Sequence, residues 1–221
     1  MATRSDTPAG VPEPTPHPLA AELAETLRGI SGARALVLGI GSGRNVPVLI
    51  DAGATVAAIE DDPERARAAM IRYAAEGRVR IARSAYAGPY PFAGPFDVAL
   101  ATHALLHGTP THVAAAIAAV GNRLAPSACF FFTLGSKRDP RFGSGRLVAP
   151  DTFVADDGSE AGVAHGYFDE TGVRALLDGF TIDGVAEVPA PGAAGAWAHT
   201  PGELATIVHW FVRARRTGRD G

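Results

Sequence analysis

The stretch that most constrains the fold is residues 35–60, ALVLGIGSGRNVPVLIDAGATVAAIE. It begins with an apolar run, continues through a segment with helical spacing at 44–51, and ends with a second apolar run that closes on Glu60. Three glycines at alternate positions follow the first run: Gly39, Gly41 and Gly43. Glycine lets the backbone turn sharply and approach a bound molecule, because it has no side chain. The stretch therefore predicts a strand, a glycine turn, a helix and a second strand.

Both ends of this unit suit a nucleoside. A helix that opens at Gly43 presents unpaired N–H groups and the positive end of its dipole to the turn. Glu60 lies 21 residues after Gly39, where a carboxylate can accept hydrogen bonds from two ribose hydroxyls. We therefore predict a site for a nucleoside-containing cofactor. The alternative is a connection between two strands that binds nothing.

The glycine spacing distinguishes between cofactors. In the dinucleotide fingerprint, G-x-G-x-x-G, the third glycine comes one residue later, at the position held here by Arg44. The spacing G-x-G-x-G instead resembles motif I of the class I methyltransferases that use S-adenosylmethionine (SAM). The resemblance implies that SAM is the cofactor and S-adenosylhomocysteine (SAH) the product. It also implies cofactor contacts from six residues: Gly39, Gly41, Gly43, Asn45, Glu60 and Asp61.

Composition restricts the class of protein further. The chain has 221 residues, of which 47% are apolar, enough for one α/β domain with a full core. The net charge of −3 provides no basic field for nucleic acid, and the single Cys129 excludes a disulfide framework. No apolar run is long enough to cross a membrane or to form a signal peptide. We expect a cytoplasmic protein with a disordered tail at 1–16 and one domain at 17–216.

Apolar periodicity and helix-breaking residues predict the order of elements. Helices are predicted at 18–28, 44–51, 62–76, 111–124 and 168–177. Strands are predicted at 35–38, 55–59, 78–82, 96–101, 128–134, 180–188 and 206–215. Alternation of strands and helices indicates a doubly wound, mostly parallel sheet, and two final strands without a helix between them indicate an antiparallel pair. The resemblance implies seven strands in the order 3-2-1-4-5-7-6, with strand 7 reversed.

Several polar residues follow the third and fourth strands, at the edge of the sheet where ligands bind. In the family an Asp near this point often holds the adenine amino group, and this chain has no acid there. The resemblance implies that Ser84 and Ala85 hold the adenine instead, through the Ser84 hydroxyl or a backbone carbonyl. The alternative is that Ser84 is an ordinary loop serine. The resemblance also places Thr102 and His103 beside the methyl-bearing sulfur, where His103 is a candidate base or substrate contact. The alternative for His103 is a role in helix capping or a position on the surface.

His107 lies four residues after His103, so one helical turn would put both imidazoles on one face. Two histidines at this spacing make a metal site conceivable. No third ligand lies close by in the sequence, and we therefore expect no metal.

Residues 135–167, called the insertion below, form a predicted connection too long to be a plain loop. The segment ends in His-Gly-Tyr-Phe before a helix and resembles small-molecule methyltransferases of the tellurite-resistance type. In those proteins such an insertion covers the acceptor pocket. The resemblance implies acceptor contacts from four residues, His107, Phe142, His165 and Tyr167, and makes His165 a second candidate base. The alternative is that Tyr167 only anchors the following helix.

Two further predictions concern the last third of the chain. Five glycines between 135 and 165 would permit movement, so the insertion is also a candidate lid. Trp210 is predicted to be core, and Trp197 to line a pocket or to be exposed.

Taken together, these patterns predict methyl transfer from SAM to a small-molecule acceptor by in-line displacement. We expect a monomer or homodimer without nucleic-acid or membrane partners. One alternative is an NAD(P)-dependent reductase of related fold. The glycine spacing and the lack of a Tyr-x-x-x-Lys pair argue against it. The other is a non-catalytic SAM-binding scaffold. It is motivated by Val37, which stands where the family usually has the acid that orients the methionine part of SAM.

Overall fold

The computed structural model describes residues 15–158, 160–189 and 207–218. Its strands are β1 (Arg34–Leu38), β2 (Thr55–Glu60), β3 (Val79–Arg83), β4 (Phe96–Ala101), β5 (Leu124–Ser136), β6 (Arg146–Ala149), β7 (Thr152–Val154), β8 (Ala164–Phe168), β9 (Phe180–Pro189) and β10 (Val208–Arg216). Its helices are α1 (Pro18–Leu27), α2 (Val46–Asp51), α3 (Pro63–Arg72), α4 (Pro110–Gly121) and α5 (Glu170–Ala175), with a 3-10 turn at Ala104–Leu106. None of the helices in this part of the chain combines the length and apolarity needed to cross a bilayer.

The main sheet has the predicted order. Strands β3, β2, β1, β4 and β5 lie side by side and are parallel. β10 continues the sheet antiparallel to β5, and β9 is antiparallel to β10. When β9 and β10 are counted as the sixth and seventh strands, the order is 3-2-1-4-5-7-6 with the seventh reversed. The prediction of a doubly wound α/β fold is confirmed.

Alternation along β1 shows why helices cover both faces. Successive side chains of a strand point to opposite faces. Leu36 and Leu38 join the core that contains α4 residues, whereas Val37 joins the core that contains α1 and α2 residues. Both cores are built from apolar side chains that the sheet removes from water, which is the main stabilising contribution to such a domain. The carboxyl ends of the parallel strands are therefore held at one rigid edge.

The insertion, for which the sequence predicted no strands, contains three. β6 and β7 form an antiparallel hairpin inside it, and β7 pairs with β8. β8 in turn runs parallel to the end of β5, through Gly135 opposite Tyr167 and Ser136 opposite Phe168. These strands have 4, 3 and 5 residues. Segments this short carry too few alternations for periodicity to be recognised.

Two smaller differences concern boundaries. The predicted turn at 125–127 lies within β5, where Ser127 has φ +63° and the register with β4 shifts. Helix α3 ends at Arg72, four residues earlier than predicted. The predicted environment of Trp197 lies outside the described residues, as does most of the predicted tail at 1–16.

Candidate active site

The glycine turn after β1 contains three residues with positive φ. Gly39, Gly41 and Gly43 have φ of +70°, +50° and +80°, a region that side-chain-bearing residues rarely adopt. A Cβ at Gly39 would lie 2.6 Å from the Ala104 Cβ, and one at Gly43 would lie 2.5 Å from the Tyr73 hydroxyl. A Cβ at Gly41 would meet no atom within 4 Å. The outer two glycines therefore serve packing, whereas Gly41 borders open space that a ligand can enter.

Glu60 holds this turn from the tip of β2. Its side chain is only 1% exposed, and Oε2 accepts a hydrogen bond from the Gly41 N–H at 3.0 Å. Oε1 accepts from the Asp62 N–H at 3.3 Å and from the Tyr86 hydroxyl at 3.1 Å. Burial raises the pKa of Glu60, and these three donors oppose the increase. The carboxylate thus lies at the tip of β2, directly beside Gly41.

Tyr86 was not predicted as a site residue. It lies in the loop after β3, and its hydroxyl bonds Glu60 and would be 3.2 Å from a Cβ on Gly39. The position of a tyrosine in an irregular loop cannot be derived from periodicity, so this contact could not be predicted from the sequence. Tyr86 covers the carboxylate that the resemblance assigns to ribose.

A cavity of about 240 Å³ lies between the loop after β3, the 3-10 turn and the start of α4. Asp61, Ala85 and Tyr86 line one side of it, and Leu105 and His107 line the other. Asp61 and Ala85, two of the predicted cofactor contacts, therefore border a partly open cavity. Ser84 does not line this cavity, because its hydroxyl donates to the Pro89 carbonyl within the same loop, at 3.0 Å.

Asn45 connects the glycine turn to two other elements. Its Nδ2 donates to the Thr102 hydroxyl at 2.8 Å, and its Oδ1 accepts from the His17 N–H at 2.9 Å. Both Asn45 and Thr102 are buried. His17 also caps α1, because its Nδ1 accepts from the Leu19 N–H at 3.1 Å. This bridge fixes α1 across the turn, as expected for a helix that precedes the first strand.

Three buried imidazoles, His17, His103 and His209, form what we call the buried histidine cluster. The His103 ring centroid lies 5.5 Å from that of His17 and 5.2 Å from that of His209. Burial lowers the pKa of His17 to about 3 and that of His209 to about 4. Neither His209 ring nitrogen has a hydrogen-bond partner among the described residues. His17 and His209 were not predicted as site residues. A signal was present for His209, because a histidine inside an apolar strand such as β10 is unusual.

The prediction that His103 and His107 share one helical face is wrong. His103 has φ +64°, and its N–H donates to the Thr133 hydroxyl at 2.8 Å. The 3-10 turn begins after it, and His107 already has extended backbone. A left-handed residue followed by a single tight turn breaks the helical spacing, so the two imidazoles belong to different clusters.

His107 belongs to a second group with Glu160 and His165, which we call the carboxylate-bridged cluster. Nε2 of His107 lies 3.4 Å from one oxygen of Glu160, and Nε2 of His165 lies 3.0 Å from the other. The two histidines hold the pKa of the Glu160 carboxyl far below its usual range. Glu160 was not predicted, because it lies more than 50 residues from His107 in the chain.

The remaining predicted acceptor contacts, Phe142 and Tyr167, lie in an aromatic cluster with Phe153. The Phe142 ring centroid is 5.4 Å from that of Phe153 and 5.6 Å from that of Tyr167. Burial raises the pKa of Tyr167 to about 12, so it stays protonated. These contacts hold the hairpin to β8 and favour the alternative of an anchoring role for Tyr167. Trp210 is buried as predicted, and its Nε1 donates to the Phe168 carbonyl at 2.8 Å.

Neither a protein-family model nor a curated protein sequence matches the chain. Solved structures do match it. A SAM-dependent methyltransferase from Methanosarcina mazei superposes with a TM-score of 0.71 at 17% identity, over 92% of this chain and 99% of that one. The 1,6-didemethyltoxoflavin-N1-methyltransferase from Burkholderia thailandensis, solved with 1,6-didemethyltoxoflavin and SAH bound, gives a TM-score of 0.64 at 20% identity over 91% and 78%.

The N-methyltransferase NodS from Bradyrhizobium japonicum gives a TM-score of 0.60 at 16% identity, over 90% of this chain and 93% of NodS. Likeness at these identities establishes the fold. The chain has the fold of the class I SAM-dependent methyltransferases, and the resemblance in its sequence is confirmed at that level.

Proposed function

We propose that this chain transfers a methyl group from SAM to a small-molecule acceptor. The observation that carries the proposal is the open space above Gly41, beside a buried carboxylate at the tip of β2. A glycine turn with room above it admits a ligand backbone, and the Glu60 carboxylate is the group that receives ribose hydroxyls in nucleotide-binding folds of this kind. The cavity lined by Asp61 and Ala85 suits the adenine.

A small-molecule acceptor is the finer part of the proposal. The toxoflavin enzyme, whose fold this chain shares, was solved with a small heterocyclic molecule bound. The insertion of this chain places a hairpin after β5, on the edge where parallel strands end. Such a cover restricts the acceptor side to molecules small enough to fit beneath it.

The chemistry requires little covalent help from the protein. A bound sulfonium supplies an electrophilic methyl group, so the protein must align the acceptor, exclude water and, where necessary, remove a proton. His103 and His209 suit the acceptor side because they are buried and lie side by side. His209 is uncharged at neutral pH and has ring nitrogens available to an acceptor. We propose His103 as the base or acceptor contact, because the ring of His165 is already engaged by Glu160.

Calorimetry with SAM, SAH and NADPH tests the proposal. We expect SAM and SAH to bind and NADPH not to bind. Gly41→Val should abolish SAM binding, because the branched side chain fills the space above the turn. Gly32→Val is the matched control, since Gly32 also has positive φ, at +68°, with no atom within 4 Å of an added Cβ, and lies before β1 at the opposite end of the strand.

Unchanged SAM affinity in a folded Gly41→Val protein would rule out this site. Binding of NADPH in place of SAM would favour the reductase. Binding of SAM without turnover of any small-molecule acceptor in a screen would favour the scaffold that Val37 suggests.

A further inference from the structure

We propose that His107, Glu160 and His165, the carboxylate-bridged cluster, bind a divalent transition-metal cation such as Zn²⁺. One ligand atom from each residue lies within 4.8 Å of the other two. The cation would join the insertion, which supplies Glu160 and His165, to the segment after β4, which supplies His107. His107 also lines the cavity that we assign to the adenine, but cation binding by the three residues does not require methyl transfer.

The donor set is one that zinc prefers. Two imidazole nitrogens and one carboxylate form three-residue zinc sites that leave a fourth position open. Bonds of about 2.0–2.1 Å in a tetrahedral site place neighbouring ligand atoms roughly 3.3 Å apart. The two histidine–carboxylate distances here, 3.4 and 3.0 Å, are close to that separation, although they go to different oxygens of Glu160. Binding of one cation therefore requires the ligand atoms, which lie within 4.8 Å of one another, to move closer together.

The hydrogen bond behind His165 fixes how its ring faces the cluster. Nδ1 of His165 lies 3.1 Å from the Val163 carbonyl oxygen. A carbonyl only accepts, so Nδ1 carries the proton, and Nε2 of the neutral ring turns its lone pair toward Glu160. A lone pair and a carboxylate oxygen at 3.0 Å repel each other unless a cation lies between them, either a proton or a metal ion. Backbone carbonyls orient metal-binding histidines in this way.

The backbone holds the two histidines in place before any cation arrives. His107 and His165 are opposite each other in an antiparallel bridge, and the Gly108 N–H donates to the Ala164 carbonyl at 2.8 Å. A Cβ on Gly166 would lie 2.8 Å from the Gly108 carbonyl oxygen, so this close approach of the two segments requires glycine there. The two imidazole ligands are therefore preorganised.

The charges around the carboxylate-bridged cluster and its exposure to solvent are compatible with the binding of a cation. The Arg141 guanidinium approaches Glu160 only to 3.9 Å, and it forms shorter bonds of 2.8 and 2.9 Å to Asp139. Asp139 therefore neutralises most of the competing charge. The side chains of His107 and Glu160 are 23% and 29% exposed, which leaves a path for a cation and for a water on the open position.

The test uses the full chain stripped of metal with a chelator and then dialysed free of the chelator. Calorimetry with ZnCl₂ should give one equivalent of tight binding, and CoCl₂ should give the visible absorption of a low-coordinate Co²⁺ site. Zinc should also raise the melting temperature, because it binds only the folded chain. MgCl₂ should not bind, because Mg²⁺ prefers oxygen ligands in an octahedral arrangement.

Variants locate the site. His107→Ala, Glu160→Gln and His165→Ala should each weaken zinc binding at least tenfold, since even residues behind the ligands affect affinity by 10–100-fold. His112→Ala is the matched control, because His112 lines the same cavity as His107 but lies outside the cluster. Circular dichroism of each unloaded variant establishes that it is folded, and Glu160→Gln preserves the side-chain shape.

The proposal is overturned if the wild-type chain binds no zinc, or if Mg²⁺ binds as well as zinc does. It is equally overturned if folded Glu160→Gln and His165→Ala proteins keep wild-type affinity. SAM binding, measured separately on the same samples, reports on the proposed methyl transfer and can fail or succeed independently.

Discussion

Glu60 is the residue on which the geometry of the cofactor side depends. Its carboxylate is buried, yet it accepts hydrogen bonds from two backbone N–H groups and one tyrosine hydroxyl. A carboxylate has about four positions for donors, so these three contacts leave one vacant. If Glu60 binds the ribose as proposed above, the two ribose hydroxyls require the vacant position and one that is now occupied. The backbone donors are fixed in the turn, which leaves the Tyr86 hydroxyl as the group to be exchanged.

Glu60→Ala should weaken SAM binding by roughly ten- to a hundredfold or more. Hydrogen bonds to a charged group contribute about 1.5–3 kcal/mol each, and the substitution also leaves the Gly41 N–H without its acceptor. Titration calorimetry measures the change. Glu64→Ala, at an exposed position in the first turn of α3, is the control and should bind as wild type does. A loss below threefold at Glu60 would mean that the carboxylate only supports the turn.

Tyr86→Phe should tighten SAM binding by about two- to tenfold. The variant removes a hydroxyl that competes with ribose for Glu60, and a typical net hydrogen bond is worth about 0.5–1.5 kcal/mol. Tyr90→Phe is the comparison, because the Tyr90 hydroxyl bonds the Tyr86 carbonyl rather than Glu60. Weaker binding in Tyr86→Phe would show that the hydroxyl belongs to the SAM-bound site instead of being displaced from it.

The residues that sequence could locate are those whose partners are near in the chain. Gly41 and Glu60 follow from the spacing of one strand-turn-helix-strand unit, and the structure joins them by a hydrogen bond. His209 meets His103, and Glu160 meets His107, across long chain separations, so spacing carries no information about these contacts. Seven of the ten strands in the described residues could be predicted, because each contains an apolar run that is recognisable in the sequence.

At the scale of elements, the insertion divides into a fixed part and a less supported part. β8 is fixed, since it pairs with β5 and the Lys137 N–H donates to the Phe168 carbonyl at 3.0 Å. Among the described residues, the β6–β7 hairpin pairs with the sheet only through β8, and Leu147 at its outer edge is 61% exposed. We therefore expect the lid movement to take place in this hairpin.

Hydrogen exchange tests the lid. We expect amides of 143–165 to gain protection when SAH and an acceptor found by turnover screening are both bound, because closure excludes water from the reacting groups. Tyr167 and Phe168 should be protected already in the free protein, and they serve as internal controls. Identical exchange with and without ligands across 143–165 would leave a static cover that only shapes the pocket.

At the scale of the whole molecule, the sheet joins two apolar cores, and the buried histidine cluster lies where three distant elements converge. His17 caps α1, His103 follows β4 and His209 lies in β10. Burial of uncharged imidazoles in this position couples folding to pH, since an unfolded chain binds protons that the folded chain excludes. The cluster therefore makes the free energy of unfolding depend on pH at pH values well above those at which carboxylates titrate.

The free energy of unfolding should fall as the pH is lowered from 7.5 to 5. The unfolded pKa of histidine is 6.5, whereas the folded pKa is about 3 for His17 and about 4 for His209. Because the folded values are depressed, the stability is fully present above pH 6.5 and is lost toward the folded values, by about 2 kcal/mol per histidine at pH 5. Urea unfolding at a series of pH values measures this.

His209→Gln isolates the contribution of His209, since glutamine is polar but does not titrate. The wild type should lose about 2 kcal/mol more than the variant between pH 7.5 and 5. Glu60 acts in the opposite direction because its pKa is raised, but wild type and variant share that contribution, so it cancels in the difference. Parallel stability curves for the two proteins would mean that His209 binds a proton as readily in the folded chain as in the unfolded chain, which would contradict a pKa lowered by burial.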